Sequence, residues 1–156
     1  MKKFIIDADT GSDDAVAILL ALLHPQTEVL GITVVSGNVP LAQGITNTLS
    51  TIEIAEQDIK VYAGADKPLV REYIEIHTLE EFSEHVKSLS PVSASAQSVH
   101  GVDGMGDIGI RSKSSKYEET GAIDYLIETI NNNPGEITLV TLGPLTNIAL
   151  AIEKDP

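Results

Sequence analysis

The feature that most constrains this chain is an apolar segment that runs directly into a turn carrying four carboxylates. Residues 4–6 are apolar and predict a short buried strand. The turn that follows holds Asp7, Asp9, Asp13 and Asp14. Gly11 allows a sharp reversal there, and Ser12 is predicted to cap the next helix. Residues 15–23 are apolar on every side, so both sides of that helix should be covered.

Carboxylates crowded on one turn repel one another, and partial burial adds a desolvation cost. Their pKa values rise in that situation unless a cation compensates the charge. A simpler explanation is that acidic residues favour a helix N-terminus through the macrodipole, but one Asp would suffice for that. Oxygen ligands without Cys or paired His are typical of hard ions. The turn therefore predicts a divalent metal site, for Ca²⁺ or Mg²⁺.

Composition limits the classes of partner. The 156 residues, 42% of them hydrophobic, predict a single globular domain over 1–156 with a sizeable core. The formal charge of −13 argues against nucleic acid and anionic membranes as partners. The chain has no Cys and no long apolar run, and Asp7 interrupts the apolar segment after Lys3. We therefore expect no disulfides, no secretion signal and no membrane span, and a cytoplasmic protein.

Hydrophobic spacing predicts alternating strands and helices through the first part of the chain. Residues 28–35 and 59–63 have the composition of buried strands. Between them, Pro40 suits the first position of a helix, and apolar residues recur at helical spacing to about Ala55. Strands and helices of these lengths are typical of βαβ units. The predicted fold class is α/β, a Rossmann-like open, mainly parallel sheet with helices on both faces.

The middle of the chain is less regular. Residues 67–76 predict a loop or an edge segment, residues 79–89 a helix, and residues 88–98 a surface connection. A Gly-rich loop follows at residues 99–107. The last part predicts, in order, a helix at 120–130, a strand at 137–142 and a helix at 145–153.

Polar residues follow the predicted strands at the points where those strands end. The acidic turn follows the first strand, residues 36–38 follow the second, and residues 142–144 follow a later one. Ligands of open parallel sheets bind beyond the carboxyl ends of the strands, so these turns should lie together. Asn38 then has two explanations: it faces a polar ligand as donor and acceptor, or it is an αL turn residue after Gly37.

The Gly-rich loop carries a histidine and two aspartates. His100 either contacts a substrate or acts as a general acid, or it is an ordinary loop histidine. Asp103 and Asp107 lack the spacing of an EF-hand and are interpreted as turn formers. The other histidines, His24, His77 and His85, are assigned no function.

Four segments of the chain resemble the motifs of one enzyme family, in the same order. Residues 7–15, DADTGSDDA, resemble the D-x-D-P-G-x-D-D-A signature of the inosine-uridine preferring nucleoside hydrolases. Residues 35–38 resemble its V-x-G-N, residues 100–106 its H-G-x-D-G-L-G, and residues 142–149 its L-G-P-L-T-N-I-A. The resemblance implies an enzyme of purine and pyrimidine salvage that uses Ca²⁺ to hydrolyse the N-glycosidic bond of ribonucleosides to free base and ribose.

By that resemblance, the acidic turn and the strand end near residue 142 would hold the Ca²⁺. Asp9 would bridge the ion and the attacking water and act as the general base, and Asp14 would be a bidentate ligand. The backbone carbonyl of Leu142, or else of Thr141, would complete part of the shell. Asp7 would support Asp9. Calcium accepts several oxygens of this kind and acidifies a bound water.

The resemblance also implies how a ribonucleoside would be held, without distinguishing purine from pyrimidine. Asp13 would bind ribose hydroxyls, Asn38 would hydrogen-bond the sugar near the anomeric centre, and His100 would approach the base. An oxocarbenium-like sugar is stabilised by a negatively charged, amide-lined pocket. Catalytic roles therefore fall on Asp9, Asn38 and His100.

The chain departs from the family pattern in two respects. Thr10 replaces the usual proline, a change that the turn can absorb because Gly11 remains. Family members are also longer, and their C-terminal half supplies another calcium-ligating Asp beside a His that activates the leaving base. This chain corresponds to the N-terminal half. We therefore expect incomplete catalytic machinery, exposed apolar surface and association into homo-oligomers.

Two other hypotheses remain open at this point. Residues 7–9 match the D-x-D of haloacid-dehalogenase-type phosphatases, although Gly11 stands where that family requires Thr or Val. The other is a non-catalytic fragment that binds calcium or ribose. Release of ribose from inosine or uridine, hydrolysis of a phosphate ester, and calcium binding without turnover distinguish the three.

Overall fold

The computed structural model describes residues 1–69, 99–118 and 120–156. Its strands are β1 (Lys2–Ala8), β2 (Thr27–Val34), β3 (Val61–Ala63) and β4 (Ile137–Thr141). Its helices are α1 (Ser12–Leu23), α2 (Leu41–Ile54), α3 (Ala122–Asn132) and α4 (Thr146–Lys154). The described strands form one parallel sheet in the order β3-β2-β1-β4. The predicted parallel sheet is confirmed, with small shifts in the element bounds.

Helices cover both faces of the sheet. Successive residues of β1 point to opposite faces, so the strand contributes side chains to a separate apolar core on each face. Ile6 belongs to a core that includes Ile18 of α1 and Ile45 of α2. Ile5 faces the other way and packs in a second core with Leu126 of α3 and residues of α4. The pairs α1 and α2, and α3 and α4, therefore lie on opposite faces, as the predicted fold class requires.

Three expectations about helix starts and packing are wrong. The N-cap of α1 is Gly11, and Ser12 is the first helical residue. Gly11 has no side chain that could accept a capping hydrogen bond, and its own N–H donates to the Asp14 carboxylate at 3.1 Å. Pro40 has an extended ψ of 149° and is the N-cap of α2, not its first residue. The outer side of α1 is not covered by any described element and exposes Val16, Leu20 and Leu23.

Among the described strands, β4 is at one edge of the sheet, and apolar grooves flank it on both faces. The groove beside α1 has a volume of about 400 Å³ and includes Phe4, Leu20 and Val140. The groove between α3 and α4 has a volume of about 210 Å³ and includes Leu139 and Ile148. The described residues therefore expose apolar surface, as expected, while association through that surface stays a prediction.

Some predictions fall on residues that the structure does not describe, 70–98 and 119. The predicted helix at 79–89, the connection at 88–98, most of the segment at 67–76, and His77 and His85 lie outside the described residues. Among the helices that are described, none has the length and apolar content needed to cross a membrane.

Candidate active site

The turns that follow β1, β2 and β4 meet at one edge of the sheet, as predicted. The backbone carbonyl of Asp7 accepts the N–H groups of Leu142 at 2.8 Å and Gly143 at 3.4 Å. On the other side of β1, the Val35 N–H donates to the carbonyl of Ala8 at 3.0 Å. The acidic turn after β1 therefore lies between the turns that follow β2 and β4.

Asp9 is held between two glycines. It is almost fully buried, and its Oδ2 accepts the Asn38 N–H at 2.6 Å. A Cβ atom at Gly37 would lie 2.0 Å from Oδ2, and one at Gly143 would lie 3.0 Å from Oδ1. These distances leave no room for a side chain at Gly37 and very little at Gly143. The two glycines allow both neighbouring turns to approach the Asp9 carboxylate closely.

Asp7 is fully buried and ties the acidic turn to the sheet. Its Oδ1 accepts hydrogen bonds from Thr33 Oγ1 at 2.5 Å and from Asn147 Nδ2 at 2.7 Å. Burial raises the pKa of the Asp7 carboxyl, and these two hydrogen bonds oppose the rise. Its Oδ2 is buried without a hydrogen-bond partner among the described residues. A buried carboxylate oxygen left unpaired is unfavourable, so this atom indicates a place for a proton or a cation.

Asp14 is buried beside Asp9 on the first turn of α1. Desolvation by burial raises its pKa to about 6, the Gly11 N–H opposes the rise, and the charges of Asp9 and Asp13 add to it. The raised pKa values of Asp7 and Asp14 agree with the expected effect of crowding carboxylates on one turn.

The acidic turn fits a hard divalent cation. Asp9 lies near enough to Asp14 for its charge to raise the Asp14 pKa, and Ca²⁺ prefers carboxylate oxygens. A cation between them would relieve the repulsion that both carboxylates now experience. In the part of the chain that the structure describes, no group of three or more His, Cys, Asp or Glu side chains could hold a metal. An ion at this turn would therefore need further oxygens from the backbone, from water or from residues beyond those described.

Three predicted site residues converge on Gly11. A Cβ atom there would lie 3.3 Å from Asp13 Oδ1, 3.4 Å from Asn38 Nδ2 and 3.4 Å from His100 Nδ1. Ser12 Oγ lies 3.1 Å from His100 Nδ1, and Asp13 Oδ1 lies 3.7 Å from the same atom. The side chain of His100 is 14% exposed, whereas that of Asp13 is 70% exposed. The structure therefore brings His100 to the acidic turn and leaves Asp13 at the surface.

The shape of the Gly-rich loop depends on residues whose backbone φ and ψ angles lie in the left-handed region. Positive φ angles occur at Gly101, Gly104, Gly106 and Asp107. Asp103 Oδ1 accepts the N–H groups of Met105 at 2.7 Å and Asp107 at 2.9 Å. Asp107 Oδ1 in turn accepts the N–H groups of Val102 at 2.7 Å and Asp103 at 3.1 Å. The interpretation of these two aspartates as turn formers is confirmed.

Sequence reasoning missed a buried asparagine on α4. Asn147 has no exposed surface, and its amide donates to Asp7 Oδ1 at 2.7 Å and to the carbonyl of Val34 at 3.3 Å. Its Oδ1 accepts the Ala65 N–H at 2.8 Å. Asn147 thus joins the acidic turn to the ends of β2 and β3. Its place in the segment 142–149, among apolar residues, was the signal that could have identified it.

A second asparagine, on α2, was missed in the same way. Asn47 is 1% exposed, and its amide donates to the carbonyls of Thr10 and Asp103, both at 2.9 Å. It therefore contacts the acidic turn and the Gly-rich loop together. A polar residue between the apolar positions Ile45 and Leu49 was its only signal in the sequence.

Residues 4–156 match the family of inosine-uridine preferring nucleoside hydrolases. Uridine nucleosidase 1 of Arabidopsis thaliana is 38% identical over 155 residues, which are 99% of this chain and 40% of that protein.

Two solved structures agree. A plant nucleoside hydrolase is 40% identical to this chain, with a TM-score of 0.80. The match extends over 99% of this chain and 43% of the plant chain. A purine-preferring ribonucleoside hydrolase from Gardnerella vaginalis is 33% identical to this chain, with a TM-score of 0.83. The match extends over 99% of this chain and 44% of the Gardnerella chain. This chain spans less than half the length of these relatives.

Proposed function

The chain belongs to the inosine-uridine preferring nucleoside hydrolase family, and from this premise we propose that it hydrolyses the N-glycosidic bond of ribonucleosides with a calcium-activated water. The observation that carries the proposal is the position of the buried Asp9 and Asp14 beside Asn38 and His100. Carboxylates, an amide and an imidazole at one sheet edge are the groups that activation of a water and binding of a sugar require.

We propose that Asp9, Asp14 and the backbone carbonyl of Leu142 hold the Ca²⁺. The close pair of buried carboxylates supports the first two, and the contact of residues 142–143 with Asp7 supports the third. When bound, calcium would lower the pKa of a water and hold the vicinal hydroxyls of the ribose. Asp7, fixed by its own hydrogen bonds to the sheet, would keep Asp9 in place.

Asp9 is the proposed general base. Its Oδ2 is committed to the Asn38 N–H at 2.6 Å, which leaves Oδ1, on the side of Gly143, to take a proton from the attacking water. The same hydrogen bond fixes the orientation of the carboxylate. Asn38, through its side-chain amide, would orient the sugar near the anomeric carbon.

Asp13 and His100 are the proposed contacts to the substrate on the outer side of the turn. Asp13 is exposed and free to accept hydrogen bonds from ribose hydroxyls. The ring of His100 is fixed through Nδ1 by Ser12, so its Nε2 would be available to the base of the nucleoside.

A non-catalytic role is the second candidate, and one observation favours it. The residues that the structure describes hold no group of three or more metal-binding side chains. In that case the chain would bind calcium and ribose without turnover. The family match gives no support to the phosphatase alternative.

We further propose a small-molecule ribonucleoside as the partner, with association into homo-oligomers through the apolar grooves beside β4. The charge of −13 supports the expectation that neither nucleic acid nor an anionic membrane is a partner. A cytoplasmic location remains the expectation from the sequence.

The proposal is tested by measuring ribose release from inosine and uridine with calcium and with a chelator. We expect calcium-dependent release that falls about 10³-fold in Asp9→Asn. The matched control is Asp58→Asn, which removes a carboxylate at an exposed position and should leave the rate unchanged. Calcium binding without release would support the non-catalytic candidate, and absence of calcium binding would contradict both.

A further inference from the structure

We propose that Asn47 is a positioning residue that fixes the Gly-rich loop (residues 99–107) against the acidic turn, so that His100 faces the ribonucleoside. The inference rests on the proposed function for what His100 does there. The part that concerns the fold alone, the attachment of the loop, rests on the contacts of Asn47.

All polar atoms of the Asn47 side chain are used. Its Nδ2 donates one hydrogen bond to the Thr10 carbonyl and one to the Asp103 carbonyl, both at 2.9 Å. Its Oδ1 accepts a hydrogen bond from Gln43 Nε2 at 2.9 Å. Because the side chain is 1% exposed, water does not compete for these contacts. One amide group thus joins two segments that are distant in sequence.

The Gly-rich loop has its own internal support and can be placed as a unit. The reciprocal hydrogen bonds of Asp103 and Asp107 close it, and the Gly106 N–H donates to the His100 carbonyl at 2.7 Å. A contact that holds one point of such a loop therefore sets the position of every residue in it, including His100.

Few polar contacts attach the loop to the rest of the described chain. They are the Asn47 hydrogen bond to Asp103 and the contacts of His100 with Ser12 and Asp13. Of these, Asn47 alone is fully buried and neutral, so it is the attachment least affected by solvent and salt.

The packing next to Asn47 shows how close the loop lies to α2. A Cβ atom at Gly104 would lie 2.5 Å from Val39 Cγ1 and 3.2 Å from Asn47 Nδ2. Loss of the amide would leave the Thr10 and Asp103 carbonyls without their donor, and the loop could recover hydrogen bonds only by moving outward to water. His100 would then leave the acidic turn, while Asp9 and Asp14, held by other contacts, would stay.

The test compares Asn47→Ala with Thr48→Val in the full chain, by NMR and calorimetry. Thr48 is the matched control, because its Oγ1 contacts Thr10 Oγ1 at 2.7 Å from the same helix but does not contact the loop. In Asn47→Ala we expect backbone order parameters of the loop to fall from about 0.85 to below about 0.6, with loss of the NOE between His100 and Ser12. In Thr48→Val both should remain as in the parent chain.

Ligand binding separates positioning from general damage. We expect Asn47→Ala to bind inosine or uridine at least tenfold more weakly and to bind Ca²⁺ within twofold of the parent chain. A parent chain that binds calcium but no nucleoside would refute the proposed function, while the NMR comparison would still test the attachment of the loop.

An ordered loop with the His100 NOE intact in Asn47→Ala would overturn the inference, and so would an equal loss in Thr48→Val. If Asn47→Ala does not fold, Gln43→Ala takes its place, because it removes only the donor to Asn47 Oδ1. That variant should increase loop motion to a smaller extent, and an unchanged loop would again overturn the inference.

Discussion

Asp9 and His100 lie on two sides of the same site, but different parts of the fold hold them. The side of Asp9 is made by strand ends. Asp9 directly follows β1, and the turns after β2 and β4 approach its carboxylate closely because they carry Gly37 and Gly143 there. The side of His100 is made by a loop that touches the acidic turn through side chains. We refer to these as the strand side and the loop side.

The difference explains which functions each side can serve. Strand ends are fixed by the sheet and by two cores, so they can hold charged groups together despite their repulsion. A loop with few attachments can adapt to a ligand or be displaced by it. Metal binding should therefore be sensitive to changes on the strand side, and nucleoside binding to changes on the loop side.

The largest expected effect is that of Gly37→Ala on the strand side. The new Cβ would lie 2.0 Å from Asp9 Oδ2, so the carboxylate or the turn after β2 must move. We expect a loss of about 3 kcal/mol in the free energy of unfolding and a fall in calcium affinity of at least about 100-fold, equal to about 2.7 kcal/mol. Urea unfolding and calorimetry measure the two quantities.

Gly121→Ala is the control for that change. A Cβ at Gly121 would meet nothing nearer than the Ala63 carbonyl at 3.9 Å, and the expected change in stability is under about 1 kcal/mol. If Gly37→Ala kept its calcium affinity, the strand side would be able to accommodate an added methyl group beside Asp9. That result would contradict the distinction between a rigid strand side and an adaptable loop side.

A smaller effect is expected from pH, through Asp14. Its pKa is about 6 in the folded chain against 3.8 as the ordinary value, so the folded state binds the proton more tightly. The stability that this proton contributes is fully present below pH 3.8 and is lost as pH rises through about 6. Without calcium, the Asp14 contribution should therefore decrease by up to about 1.4 kcal/mol per pH unit across that window.

Asp14→Asn isolates this contribution, because the amide resembles the protonated carboxyl. Without calcium, the variant should be more stable than the parent chain at pH 7, by up to about 3 kcal/mol, and nearly equal to it at pH 4. Parallel stability curves over this range would contradict the raised pKa of Asp14. With calcium present, the parent chain should lose calcium affinity as pH falls below about 6, since protons compete for the carboxylate.

The strand side was largely predictable from the sequence. Apolar residues followed at once by charged ones identify a strand end, and parallel strands bring their carboxyl ends to one edge. That logic predicts that Asp9, Asn38 and residues 142–144 lie together. It did not predict Gly11 as the N-cap, because Ser is a common N-cap residue and the hydrogen bond from the Gly11 N–H to the Asp14 carboxylate has no sequence signature that separates the two.

The loop side was less predictable from the residues alone. His100 is 88 residues from Ser12, and nothing in the spacing of the loop fixes that contact. The resemblance of residues 100–106 to a family motif implied only that His100 would approach the base of the substrate, and it did not predict the contact with Ser12. Asn47 and Asn147 were missed because a buried amide is not distinguishable in sequence from an exposed one on the polar face of a helix. Most of their partners are backbone carbonyls or amides, which have no sequence signature, and the side-chain partners are Gln43 and Asp7.

The smallest expected effect is that of Ser12→Ala on the loop side. The change removes the hydroxyl 3.1 Å from His100 Nδ1, a partly exposed contact, so stability should change by less than about 0.5 kcal/mol. Nucleoside binding should weaken about 2- to 10-fold, the usual contribution of one hydrogen bond. Calcium affinity should be unchanged, and the ¹⁵N shifts of the His100 ring should show a different tautomer ratio.

Ser114→Ala, at an exposed hydroxyl outside the site, is the control. If Ser12→Ala lowered calcium affinity as Gly37→Ala does, the two sides would be one cooperative unit, and His100 would have to be counted among the groups that organise the metal.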